Sequence, residues 1–100
     1  MSLEVQILST LRNIYDPEIP VNIYDLGLVY EVETDESGKV SVKMTLTAPN
    51  CPMADQILSE VHTRIGELEG VNEVVVNLTF NPPWHKDMMT EEAKLELGLL

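Results

Sequence analysis

The chain has 100 residues, 44% of them hydrophobic and 23% charged, which is the composition of a globular protein rather than a disordered one. That length supports one modest hydrophobic core, so residues 1–100 are expected to form a single domain. A formal charge of −11, from 17 acidic against 6 basic residues, weighs against nucleic acid or an anionic membrane surface as a partner, and no apolar run approaches the roughly 18 residues needed to cross a bilayer.

No basic segment followed by an apolar one opens the chain, so no secretory signal is expected. From Ser2, a good helix N-cap, Leu3, Ile7, Leu11 and Ile14 recur at helical spacing, with Leu8 and Tyr15 widening the stripe until Pro17 forbids continuation. This spacing predicts a helix over 3–15. The stretch "DPEIPVNIYD" follows, and its paired prolines predict an extended, ordered loop. Leu28, Tyr30 and Val32 then alternate with Val29, Glu31 and Glu33. After the turn "DESG", Val40, Val42, Met44 and Leu46 alternate with Ser41, Lys43, Thr45 and Thr47, so the two segments predict a hairpin with one dry and one wet face.

A second helix is expected from Pro52 to about Glu69, burying Met53, Ile57, Leu58, Val61, Ile65 and Leu68, with Gly70 placed to end it. The third strand, "VNEVVVNLTF", should turn Val74, Val76, Leu78 and Phe80 inward. "NPPW" breaks that pattern. Thr90 then caps a short last helix whose opening Glu91 and Glu92 suit the positive end of its dipole. The resulting class is α/β (α+β): a two-layer domain in the order α-β-β-α-β-α, with a small three-stranded mixed sheet, strand order one, two, three, and the helices packed on one face.

This topology brings three loops together. Strands one and two are antiparallel, and the helical crossover makes strand three parallel to strand two. The loop before strand one ("DPEIPVNIYDLG"), the loop after strand two ("TAPNCP") and the segment after strand three ("NPPWH") therefore share one end of the sheet. Cys51 is expected there among Asp16, Glu18, Asp25, Asn50 and His85.

Cys51 is the only cysteine, so no internal disulfide can form, which suits a reducing cytoplasm. With Pro52 at the first helical position, Cys51 becomes the N-cap, facing backbone N–H groups without helical partners. Those donors and the helix dipole favour a thiolate, the form that binds metals and attacks electrophiles, while nearby carboxylates oppose it. The plainer reading is a small residue tolerated in a turn. Asp16 before Pro17 and Asp25 before "LG" equally suit ordinary turn roles, and Trp84 suits either a partner anchor or a cover over the end of the core. His62 lies three turns along the helix, a rise of roughly 16 Å from Cys51, which leaves His85 as the one histidine able to serve as its base.

"DPEIPVNIYDLGLVYEV", "TLTAPNCPMAD" and "PPWHKDMMTEEAKLELG" resemble, in order and separation, the three signature stretches of the SufT/PaaD-like family of iron–sulfur cluster assembly factors. The resemblance covers nearly the whole chain. It implies a small cytoplasmic α/β domain that helps mature iron–sulfur or related metalloproteins without catalytic turnover. By the same resemblance Cys51 matches the functional cysteine, and Asp16 and Glu18 match the acidic pair of the "DPE" motif.

One thiol falls far short of the about four that a cluster usually takes, and carboxylates better suit a lone ferrous ion. A transient cluster or iron ion held by Cys51 with Asp16 is therefore expected to need completion, either by Cys51 of a second chain in a homodimer or by a partner, and no cofactor is expected to stay on the isolated chain. The implied partners are client iron–sulfur proteins or assembly scaffolds. Two alternatives compete: a cysteine-dependent enzyme using Cys51 and His85, and a metal-free interaction adaptor that recruits partners through Glu31, Glu33 and the open sheet face.

Overall fold

A computed structural model describes residues 2–16, 19–47 and 54–98. Helix α1 (Leu3–Leu11) starts where the Ser2 hydroxyl accepts a hydrogen bond from the Val5 amide at 3.3 Å, and it buries Ile7 and Leu11. It ends four residues before the expected limit. The Asn13 and Ile14 amides turn to carbonyls three residues back, Ile23 N–H donates to the Ile14 carbonyl, and Tyr15 pairs with Asn22 in an isolated antiparallel bridge. Pairing across the following loop thus takes the backbone groups that another helical turn would need. Ile14 still reaches the core, whereas Tyr15, expected to widen the apolar stripe, is 55% exposed.

Strands β1 (Val29–Thr34) and β2 (Lys39–Met44) form the expected antiparallel hairpin. On β2, Val40, Val42 and Met44 are fully buried, and Leu46 follows just beyond the strand. The register shifts between Val29 and Glu31, leaving Tyr30 as an extra residue that re-aims its side chain. At the turn, the Asp35 carboxylate accepts from the Ser37 hydroxyl (2.6 Å) and from the Ser37 and Lys39 amides, and these bonds, the Ser37 hydroxyl foremost, hold its pKa below the ordinary value. Gly38 (φ +89°) lies so close to Gly70 and Asn72 that a Cβ would strike them, and Asn72 bonds back to Gly38 and Ser37.

Helix α2 is described over Ala54–Gly66; Pro52, its expected first residue, and Cys51, its expected N-cap, lie outside the described residues. Ile57, Val61 and Ile65 form its buried stripe. It stops short of Glu69 in a tightened turn, with Leu68 N–H donating to Ile65, before Gly70 (φ +94°). Strand β3 (Glu73–Leu78) runs parallel to β2 with Val40 beside Val74 and Val42 beside Val76, giving the order β1-β2-β3. Its expected inward set is only partly buried: Val74 is buried and Val76 half-buried, but Leu78 and Phe80 are 42% and 37% exposed. Alternation assigns a face, yet an edge strand has a neighbour on one side only, so the same face does not guarantee the same depth.

Helix α3 (Glu91–Glu96) is capped by the Thr90 hydroxyl, which accepts from the Ala93 amide at 3.2 Å, and it joins the common core through Ala93, with Met89 just before it. The fold is the expected small α+β domain with a three-stranded mixed sheet and three helices. No helix among the described residues is long and apolar enough to cross a membrane.

Candidate functional site

Two of the three loops meet at the C-terminal end of β2, as the topology requires. The turn preceding β1 is built by Asn22, whose side-chain oxygen accepts from the Asp25 amide and whose side-chain nitrogen donates to the Asp25 carboxylate, both at 2.9 Å. Leu26, Gly27 and Leu28 continue it with amides donating to Asn22, Tyr24 and Ile23. The segment after β3 lands on the same turn: the Trp84 indole N–H donates to the Leu26 carbonyl at 2.6 Å, and the Thr90 amide to the Asp25 carbonyl at 2.9 Å. Thr45, one residue past β2, donates its amide to Leu28. The third loop leaves from this end after Thr47, and its residues 48–53 lie outside the described residues.

Among the residues proposed from the sequence, Asp16 is buried, with 5% of its surface exposed, one residue beyond the Tyr15–Asn22 bridge. An acid so buried is unusual on a chain with ample surface for its charges. Glu18, Asn50 and Cys51 fall outside the described residues, so the expected meeting of Cys51 with Asp16 and Glu18, and its expected place as N-cap facing backbone N–H groups, are not part of the described geometry. Asp25 has the plain turn role: its carboxylate and both backbone groups are taken up by Asn22 and Thr90.

His85 caps the short 3-10 turn Lys86–Met88, with its Nδ1 accepting from the Asp87 amide at 3.3 Å, and its side chain is exposed. His62 is exposed on α2, and Trp84 is half-buried against the core. Among the described residues, no group of three or more His, Cys, Asp or Glu stands close enough to hold a metal ion.

Sequence reasoning missed two features at this end. Thr45 alternates onto the wet side of β2, yet it is fully buried and its hydroxyl has no hydrogen-bond partner among the described residues. Tyr30, displaced by the register shift, donates its hydroxyl to the Pro82 carbonyl at 2.7 Å and lines a shallow groove of about 500 Å³ with Gly27, Lys43, Pro82 and Met88. A lone threonine at a strand exit carries no local signal of burial. The shift at Tyr30 has none either, because it depends on which residues β2 presents.

Comparison with known proteins places this geometry in a context. Residues 4–78 match a family model described as iron–sulfur cluster assembly protein. A protein of Porphyromonas gingivalis named Fe-S protein maturation auxiliary factor is 55% identical over 100 residues, covering 100% of this chain and 95% of that protein. Fe-S protein maturation auxiliary factor SufT of Staphylococcus aureus is 44% identical over 86 residues, 86% of this chain and 98% of its own. Among solved structures, the crystal structure of a domain of unknown function, DUF59, from Bacillus anthracis superposes with a TM-score of 0.91 at 41% identity, covering 98% of this chain and 93% of that one.

Proposed function

Because the chain belongs to the iron–sulfur cluster assembly protein family, we propose that it is a maturation factor for iron–sulfur proteins, offering Cys51 with Asp16 and Glu18 to iron or a cluster on its way to a client. The observation that carries this reading is the family match over residues 4–78, and the burial of Asp16 in the loop before β1 supports its part in it. The cluster or iron ion is cargo, and the chain is its temporary holder.

Each residue type has a distinct task in this reading. Thiolate sulfur is a soft ligand that binds iron and clusters, and a place at a helix N-terminus favours the thiolate over the thiol. Carboxylates are harder ligands suited to a ferrous ion and, being acceptors only, add no competing proton donors when ionised. One thiol per chain leaves most ligand positions open, so a second chain or the client supplies the rest, and partial ligation is what permits release. The partners are iron–sulfur clients or assembly scaffolds, and the working compartment is the reducing cytoplasm. The chain works by binding and transfer, without turning over a substrate of its own.

Cys51→Ser tests this directly. Serine is among the best N-cap residues, so unfolding stability should change by no more than about 1 kcal/mol, while a hydroxyl that stays protonated near neutrality is a poor ligand for iron. A deletion strain expressing the variant under iron limitation should lose activity of an iron–sulfur-dependent dehydratase, with Asp16→Asn giving a milder loss. Complementation equal to wild type by Cys51→Ser would make the thiol incidental and favour the adaptor reading.

A further inference from the structure

Trp84 and its neighbours have no part in the proposed cargo chemistry, yet they make some of the longest-range contacts of the chain. Three consecutive residues of the turn before β1 are each held by the segment after β3. The Asp25 carbonyl accepts from the Thr90 amide, the Leu26 carbonyl accepts from the Trp84 indole, and Gly27 abuts the Met88 backbone. Gly27 has φ +83°, and a Cβ there would collide with the Met88 carbonyl, so this approach needs glycine on both counts. The Tyr30 hydroxyl supplies a fourth tie, to the Pro82 carbonyl.

The far side of the same turn leads to Asp16. Asn22 holds Asp25 through both ends of its amide and pairs with Tyr15, the residue before Asp16; Ile23 holds the Ile14 carbonyl. Among the described residues, those from Asp16 to Leu28 lie in no helix or strand. Among the described residues, one contact path from Trp84 to Asp16 runs through Leu26, Asp25, Asn22 and Tyr15. The family match ends at residue 78, before this segment, although the Porphyromonas gingivalis relative aligns over all 100 residues.

We infer that residues 82–90 clamp the turn at 25–27 and that Trp84 is a positioning residue for Asp16, holding its loop in the conformation the cargo site requires. The inference rests on the maturation-factor reading for its functional consequence, but its structural half does not. A tryptophan that only seals the core would act through bulk, which phenylalanine largely keeps. A clamp acts through the indole N–H, which phenylalanine lacks.

The test uses the full chain as wild type, Trp84→Phe and Tyr30→Phe, the second of which removes an independent tie without touching the core. Amide hydrogen exchange by NMR should speed up at Ile23, Leu26, Gly27 and Leu28 by between about twofold and tenfold, the range for loss of one hydrogen bond, while Val40 and Val42 of the sheet stay unchanged. The Asp16 carboxyl carbon resonance should move in Trp84→Phe and that of Glu36, exposed in the β1–β2 turn at the opposite end of the sheet, should not. In the deletion strain Trp84→Phe should lower dehydratase activity at equal protein level. Unaltered exchange in the turn for both variants overturns the clamp, and so does a loosened turn with an unmoved Asp16 resonance and full activity. Full activity of Cys51→Ser in parallel identifies a different failure, that of the cargo site itself.

Discussion

Asn22 and Asp25 are bonded twice, side-chain amide nitrogen to carboxylate and side-chain oxygen to backbone amide, each at 2.9 Å. This three-residue span closes the turn that faces the C-terminal segment and leads back to Asp16. Asn22→Ala removes both bonds and leaves the half-buried Asp25 amide without its acceptor, so a loss of about 1–2 kcal/mol is expected in urea unfolding. Asp25→Asn keeps the backbone bond and an acceptor oxygen, and should lose less than half as much. Equal effects of the two substitutions would show that the turn is held elsewhere.

Gly27 and Gly70 provide a controlled pair. Both have positive φ, +83° and +94°, but a Cβ on Gly27 would strike Met88 while one on Gly70 would meet nothing within 4 Å. Gly70→Ala should cost only the backbone strain, about 1 kcal/mol. Gly27→Ala must also push the clamp away and should cost at least about 2 kcal/mol more by thermal or urea midpoint. A Gly27→Ala protein as stable as Gly70→Ala would mean that the segment at Met88 yields freely.

Thr45 is fully buried, and its hydroxyl has no partner among the described residues. Desolvating a polar group without a hydrogen bond costs about 1–3 kcal/mol, and valine has nearly the same shape. Thr45→Val is therefore expected to be as stable as the wild type or up to about 2 kcal/mol more stable. Destabilisation beyond 1 kcal/mol, read from the chemical denaturation midpoint, would contradict a strained, unsatisfied site, a threshold set by the usual net worth of a hydrogen bond of about 1 kcal/mol.

Iron content gives the functional prediction most directly tied to ligand count. Protein purified in air should be colourless and nearly iron-free by colorimetric assay, since one thiol per chain cannot retain a cluster that usually takes about four. Anaerobic reconstitution should give at most one labile cluster per two chains, accompanied by a shift to dimer in size-exclusion chromatography. A stable cluster on a monomer would overturn the idea that a second chain or partner completes the site.

Features set by near neighbours were legible from the amino-acid order. Ser2 and Thr90 announce their helices because a hydroxyl reaches an amide three residues on, and both do so here. The alternation of Val40, Val42 and Met44 fixes the dry face of β2, and the helical crossover fixes β3 parallel to it, so the shared end of the loops follows from topology alone. The three motif stretches carried the family resemblance in the same way, as linear patterns. Tertiary structure decided what depended on residues far apart in the chain. Pairing of Tyr15 with Asn22 ended α1 early, the edge position of β3 left Leu78 and Phe80 exposed, and burial overtook Thr45 on a nominally wet face. Trp84 and Tyr30 found their acceptors 58 and 52 residues away, a choice that no local periodicity encodes because it is made only when the C-terminal segment closes over the turn at Asp25, Leu26 and Gly27.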